Sequence, residues 1–75
     1  MAESIHIGRI IHKELRQQGR TVVWLSQQLN TSRMACYRLF NSYSIDTHVL
    51  YQISELLGKD FFSEYSRNLT TLDKS

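Results

Sequence analysis

Apolar residues recur along this chain at intervals of three and four, so the pattern predicts helices and leaves thin ground for strands. Ile7, Ile10, Ile11 and Leu15 draw one stripe on a helix of about residues 5–18, with Arg9, Lys13 and Arg16 on its wet side and Gly19 as its left-handed stop. Thr21 can cap a second helix of about 22–29, in which Leu25 and Leu29 lie one turn apart and Ser26 is small enough for a close helix contact. Asn30 ends it, because asparagine tolerates a positive backbone angle better than any residue but glycine. Thr31 or Ser32 then caps a third helix of about 32–41, which turns Cys36, Leu39 and Phe40 inward and Ser32, Arg33, Met34, Tyr37 and Arg38 outward. Ser44 or Asp46 caps a fourth, marked by Val49, Leu50, Ile53, Leu56 and Leu57 and stopped by Gly58. Asp60 opens a short fifth helix holding Phe61, Phe62 and Tyr65. The expected architecture is all-α, five short helices around one core, with a domain over 1–66 and a polar, frayed tail over 67–75 in which only Leu69 and Leu72 are apolar.

Size narrows what such a bundle can do. Seventy-five residues make one small domain, which buries roughly 60% of its unfolded surface and has no room for a deep enzyme cleft. The single cysteine, Cys36, excludes an internal disulfide and a cysteine-built zinc site. Placed on an inward face, it is expected to act as a small hydrophobe. His6 and His12 are six residues apart, on faces that lean away from each other, and His48 is remote, so no metal and no cofactor is expected. No Ser/His/Asp set, carboxylate pair or glycine-rich phosphate loop is present, and an enzyme or a small-molecule site is not expected. MAESIHIGRI lacks the long apolar stretch of a signal peptide and no run approaches a membrane span, so a soluble, cytoplasmic protein without membrane contact is expected.

Charge adds a direction. The formal net charge is only +2, but residues 1–45 carry six Lys and Arg against two acids, whereas residues 46–75 carry three against five. A basic first half beside an acidic second half suits a module that turns its first half towards a polyanion.

Two helices joined by a tight turn, the second offering cations at its start, are the parts of a helix-turn-helix. Residues 7–65 resemble the lambda-repressor/Cro-like, or XRE-type, helix-turn-helix domains of bacterial and phage transcriptional regulators. The family's bihelical unit corresponds to Val22 through Asn41, where its apolar fourth, small fifth and apolar fifteenth and eighteenth positions are Leu25, Ser26, Cys36 and Leu39. Its ninth position, usually glycine, is Asn30, and its first, often a DNA-contacting glutamine, is Val22, so that one contact is not carried over.

The resemblance implies sequence-specific binding of double-stranded DNA, with the third helix in a major groove and base edges read by Ser32, Arg33, Met34, Tyr37 and Arg38. Arginine can donate two hydrogen bonds to guanine, and Met34 or Tyr37 can meet a thymine methyl. Phosphate contacts are expected from Lys13, Arg16, Arg20, Thr21, Asn41, Tyr43 and Ser44. Family members often pair through the C-terminal region, which makes Phe61, Phe62 and Tyr65 candidate contacts of a homodimer; Trp24, a large apolar surface on the second helix, either packs against the fourth or fifth helix or is a further contact. An alternative gives the same fold a protein partner, as in an antitoxin-like or adaptor subunit, bound through Trp24 and the C-terminal aromatics.

Overall fold

A computed structural model of the chain describes residues 5–69 and shows five helices there, with no strand among the described residues. They are α1 (Ile7–Gln17), α2 (Val22–Gln28), α3 (Arg33–Phe40), α4 (Thr47–Leu57) and α5 (Ser63–Ser66). Their order and number follow the apolar periodicity. The ends of α1 to α4 are set by local chemistry. Thr21 Oγ1 accepts the Trp24 N–H at 3.0 Å, Ser32 Oγ accepts that of Ala35 at 3.1 Å, and Asp46 Oδ2 accepts those of His48 and Val49 at 3.0 and 3.3 Å. Each satisfies amide donors that the first turn of a helix leaves without partners. At α1 the same task falls to His6, whose Nδ1 accepts the Arg9 N–H at 3.1 Å.

Three helices stop by one mechanism. Gly19, Asn30 and Gly58 have φ of +72°, +54° and +64°, and the amide after each returns to a carbonyl of the last turn: Arg20 to Leu15, Thr31 to Ser26 and Lys59 to Ser54. Asn30 is the only residue other than glycine with positive φ among the described residues. The reversal after α2 is therefore tight, and α3 begins three residues beyond it.

One expectation needs correction at the C-terminal end. Asp60 Oδ1 accepts the Phe62 N–H at 3.0 Å, but the helix itself starts only at Ser63, so Asp60 caps the turn ahead of α5. Residues 67–69 continue as a 3-10 turn, with Arg67 paired to Glu64 at 2.8 Å and Asn68 Nδ2 donating to the Glu64 carbonyl at 2.7 Å. The remainder of the expected tail, including Leu72, lies outside the described residues, as do residues 1–4.

The core is built from Ile7, Ile11 and Leu15 of α1, Leu25 of α2, Cys36 and Phe40 of α3, Leu50, Ile53 and Leu57 of α4, and Phe61. Each large member contributes roughly 1.5–3 kcal/mol on leaving water. Ile10, Leu29, Leu39, Val49 and Leu56 form a half-buried rim instead of joining the centre. Ser26 is buried, and its hydroxyl donates to the Val23 carbonyl at 2.8 Å, so this small residue brings no unsatisfied polar atom into the interior. Gln18 ties α1 to the end of α4 by donating to the Leu57 carbonyl at 2.7 Å. No helix among the described residues is long and apolar enough to cross a membrane.

A close backbone approach involves Gly8, which the apolar pattern does not single out. Its N–H, free of any partner within α1, donates to the Ser42 carbonyl at 3.1 Å. A Cβ at this position would press on the Leu39 and Phe40 carbonyl oxygens, the latter at 2.5 Å. These are backbone atoms and cannot swing aside. A glycine inside a helix costs about 1 kcal/mol against alanine, and here the close seating of α1 on the end of α3 requires it.

Gly8→Ala is expected to destabilise the fold by about 1–3 kcal/mol despite the better helix propensity of alanine; a denaturant midpoint equal to or above wild type would refute the close seating. Burial also pushes the Cys36 thiol, 1% exposed, above its ordinary pKa. The group is thus held protonated, and its contribution to stability is present at neutral pH and lost as pH rises through the raised value. Cys36 should react with an aromatic disulfide reagent only slowly in the folded protein and fully once denatured, which a timed absorbance trace measures.

Candidate nucleic-acid interface

Helix α3 divides cleanly. Cys36 and Phe40 face the core, while Arg33, Met34, Tyr37 and Arg38 occupy the opposite arc and are exposed, Met34 to 66% and Tyr37 to 52%. Two exposed apolar side chains beside two guanidiniums suit a surface that meets both hydrogen-bonding and methyl groups. Ser32 is exposed as well, but its oxygen already serves as the cap of α3. Its hydroxyl hydrogen remains available as a donor.

The flanking cations fall into two groups. On α1, Arg9, His12, Lys13, Arg16 and Gln17 line an open depression of about 450 Å³ that contains no carboxylate. Arg9 completes a row at positions 9, 13 and 16, and joins the expected phosphate contacts Lys13 and Arg16; its spacing is the signal that would have found it. At the start of α2, Arg20 lays its guanidinium over the Trp24 ring, 4.2 Å from the centroid, and Thr21 is occupied as a cap. Arg67–Glu64 is the only ion pair among the described residues. Arg9, Lys13, Arg16, Arg20, Arg33 and Arg38 therefore have no carboxylate within salt-bridge distance there.

Beyond α3, Asn41 is exposed and ends the helix, its N–H reaching back to the Tyr37 and Arg38 carbonyls at 3.2 Å each. Tyr43 and Ser44 are exposed in the loop that follows. The Tyr43 ring leans on His6, with centroids 4.1 Å apart. Ser42, next to Asn41, pins this loop by donating its hydroxyl to the Arg38 carbonyl at 2.8 Å. These loop positions thus sit directly beyond the C-terminal end of α3, whereas Lys13 and Arg16 approach from α1.

The histidines do local work. His6 caps α1, and His12 stacks flat on Phe40 with centroids 4.2 Å apart. No group of three or more His, Cys, Asp or Glu side chains is placed to hold a metal among the described residues.

One candidate for contact between chains is corrected. Phe61 is 0% exposed: the turn capped by Asp60, further tied to α4 by the Phe61 N–H donating to Ser54 Oγ at 3.4 Å, sends this ring into the core. Lys59 Nζ lies 6.0 Å from the ring centroid. Phe61 cannot reach a second chain in this fold. Phe62 and Tyr65 stay half-buried at the rim, and Trp24 packs partly against the core under Arg20. No protein-family model, curated protein or solved structure matches the chain.

Proposed function

We propose that this chain is a sequence-specific double-stranded DNA-binding domain of the helix-turn-helix type, acting as a transcriptional regulator. α2, the turn at Asn30 and α3 form the bihelical unit, as in the lambda-repressor-like domains that the sequence resembles. The observation that carries this reading is the outward face of α3, where Arg33, Met34, Tyr37 and Arg38 stand exposed without carboxylate partners among the described residues. Arg33, first in the helix, is positioned to go deepest into a major groove and to grip a guanine edge. Arg38, one turn and a half further on, reads a second base or reaches a phosphate. Met34 and Tyr37 supply the apolar surface for thymine methyls.

Phosphates on either side of the groove are held by Lys13 and Arg16, joined by Arg9, and by Arg20, Asn41, Tyr43 and Ser44. These contacts fix register and give salt dependence without sequence choice. A protein partner is the weaker reading, because burial of Phe61 and the guanidinium over Trp24 remove much of the aromatic surface it would need. Of the C-terminal aromatics, Phe62 and Tyr65 remain for a homodimer, and a palindromic motif with half-sites about one helical turn apart would reveal one.

Selection from a randomised duplex library at two salt concentrations tests the proposal. Wild type should enrich one motif, and Arg33→Ala should lose about 1–3 kcal/mol of affinity for it with relaxed choice at a single base position. Lys13→Ala and Arg16→Ala should each weaken binding on all sequences alike and lower the salt slope by about one. If no motif emerges and Arg33→Ala binds as wild type does, α3 is not a reader.

A further inference from the structure

Three aromatic rings run in contact from α1 to the outward face of α3. The His12 imidazole lies on the Phe40 ring with centroids 4.2 Å apart and planes within 4° of parallel. Phe40 then meets Tyr37 edge-on, at 6.1 Å and 84°. The edge-on contact of Phe40 with Tyr37 is an arrangement that ring quadrupoles favour, and His12 is the other neighbour of Phe40, a flat stacked ring. Exposure rises along the series: Phe40 is 5% exposed and Tyr37 52%. The outermost ring is thus anchored through a nearly buried one, which is itself clamped by a residue of another helix.

Such anchoring matters for recognition. A side chain that must be ordered on binding loses part of its interaction free energy to lost rotamer freedom, and one already held does not. Met34 is more exposed than Tyr37 and has three rotatable bonds, which suits it to fill space but not to discriminate. The group a rigid ring can best distinguish is the thymine methyl, the one apolar group that a base edge presents in the major groove.

We infer that Tyr37 is the specificity-determining contact to a thymine methyl and that His12 is its positioning residue, setting the Tyr37 ring through Phe40. The inference rests on the DNA-binding reading above and deepens it by naming the base group read and a residue on another helix that governs the reading. His12 also borders the depression lined by Arg9, Lys13 and Arg16, so it has a rival role as one more phosphate contact. The two roles differ in what they require: stacking needs only a flat ring, whereas a phosphate contact needs an N–H donor.

The test measures binding of wild type, Tyr37→Ala, His12→Ala and His12→Phe to the duplex recovered from the randomised library, with thymine or uracil, which lacks only the methyl, at each position in turn. Wild type should prefer thymine to uracil at one position by roughly two- to tenfold, the range that one aromatic contact supports. Tyr37→Ala and His12→Ala should bring that ratio towards one, His12→Phe should keep it, and the base position that depends on Arg33 should be unaffected in all three. In the free protein, the Tyr37 ring signals in NMR should move in His12→Ala and return in His12→Phe. Equal thymine preference in His12→Ala and wild type would overturn the inference, as would a uniform loss of affinity shared by His12→Ala and His12→Phe, which marks a phosphate contact. If wild type recovers no motif, the DNA-binding reading fails, and the thymine assignment with it. The positioning role then stands or falls separately on whether the Tyr37 ring moves in free His12→Ala.

Discussion

The seat of α1 on the last turn of α3 is the contact on which the rest of this molecule depends. An eight-residue helix is too short to persist in water by its own hydrogen bonds. α3 must be held from outside along its length and at both ends. Its inner face is held by burial of Cys36 and Phe40, its start by the Asn30 reversal and the Ser32 cap, and its end by Gly8, whose missing side chain lets the backbone of α1 meet the Leu39 and Phe40 carbonyls. With both ends fixed, the outward arc of α3 has one orientation relative to the basic face of α1.

On the DNA-binding reading proposed above, that geometry is how a chain with a net charge of only +2 would present itself to a polyanion. The cations of α1 and α3 stand in the half of the chain with few acids, and among the described residues none of them is spent on an internal carboxylate. The acids of the second half do other work: Asp46 caps α4, Asp60 caps the turn before α5, and Glu64 pairs with Arg67. These three carboxylates are used locally for folding. Surface ion pairs of this kind contribute little stability, so leaving the first-half cations unpaired costs the fold almost nothing.

Aromatic residues show how a small core is shared between stability and surface. Phe61 is consumed by the core, Phe40 links core to rim, and Tyr37 reaches water. Adjacent Phe61 and Phe62 cannot both enter so small an interior, and the turn held by Asp60 and Ser54 decides which of them does. The same economy applies to His12, whose ring covers Phe40 where an aliphatic residue would leave α1 less polar.

The number and order of the helices were legible in the sequence, because periodicity of three and four, cap residues such as Thr21, Ser32 and Asp46, and stops such as Gly19, Asn30 and Gly58 act within a few residues of chain. The outward arc of α3 was legible for the same reason: once Cys36 and Phe40 face inward, helix geometry places Arg33, Met34, Tyr37 and Arg38 on the other side. Other features depend on what a residue meets across the fold. Nothing local distinguishes Phe61 from Phe62, marks Gly8 as the point where two backbones touch, or sets His12 on Phe40. Residues 67–69 read as a polar tail, yet Glu64 holds Arg67 and Asn68 in a further turn. Sequence alone thus determined the helices and their faces, which follow from short-range hydrogen bonding and the spacing of apolar side chains. Only the tertiary structure decided which aromatic ring fills the core, which glycine admits a neighbouring helix and which histidine braces α3, because these are settled by steric fit between segments far apart in the chain.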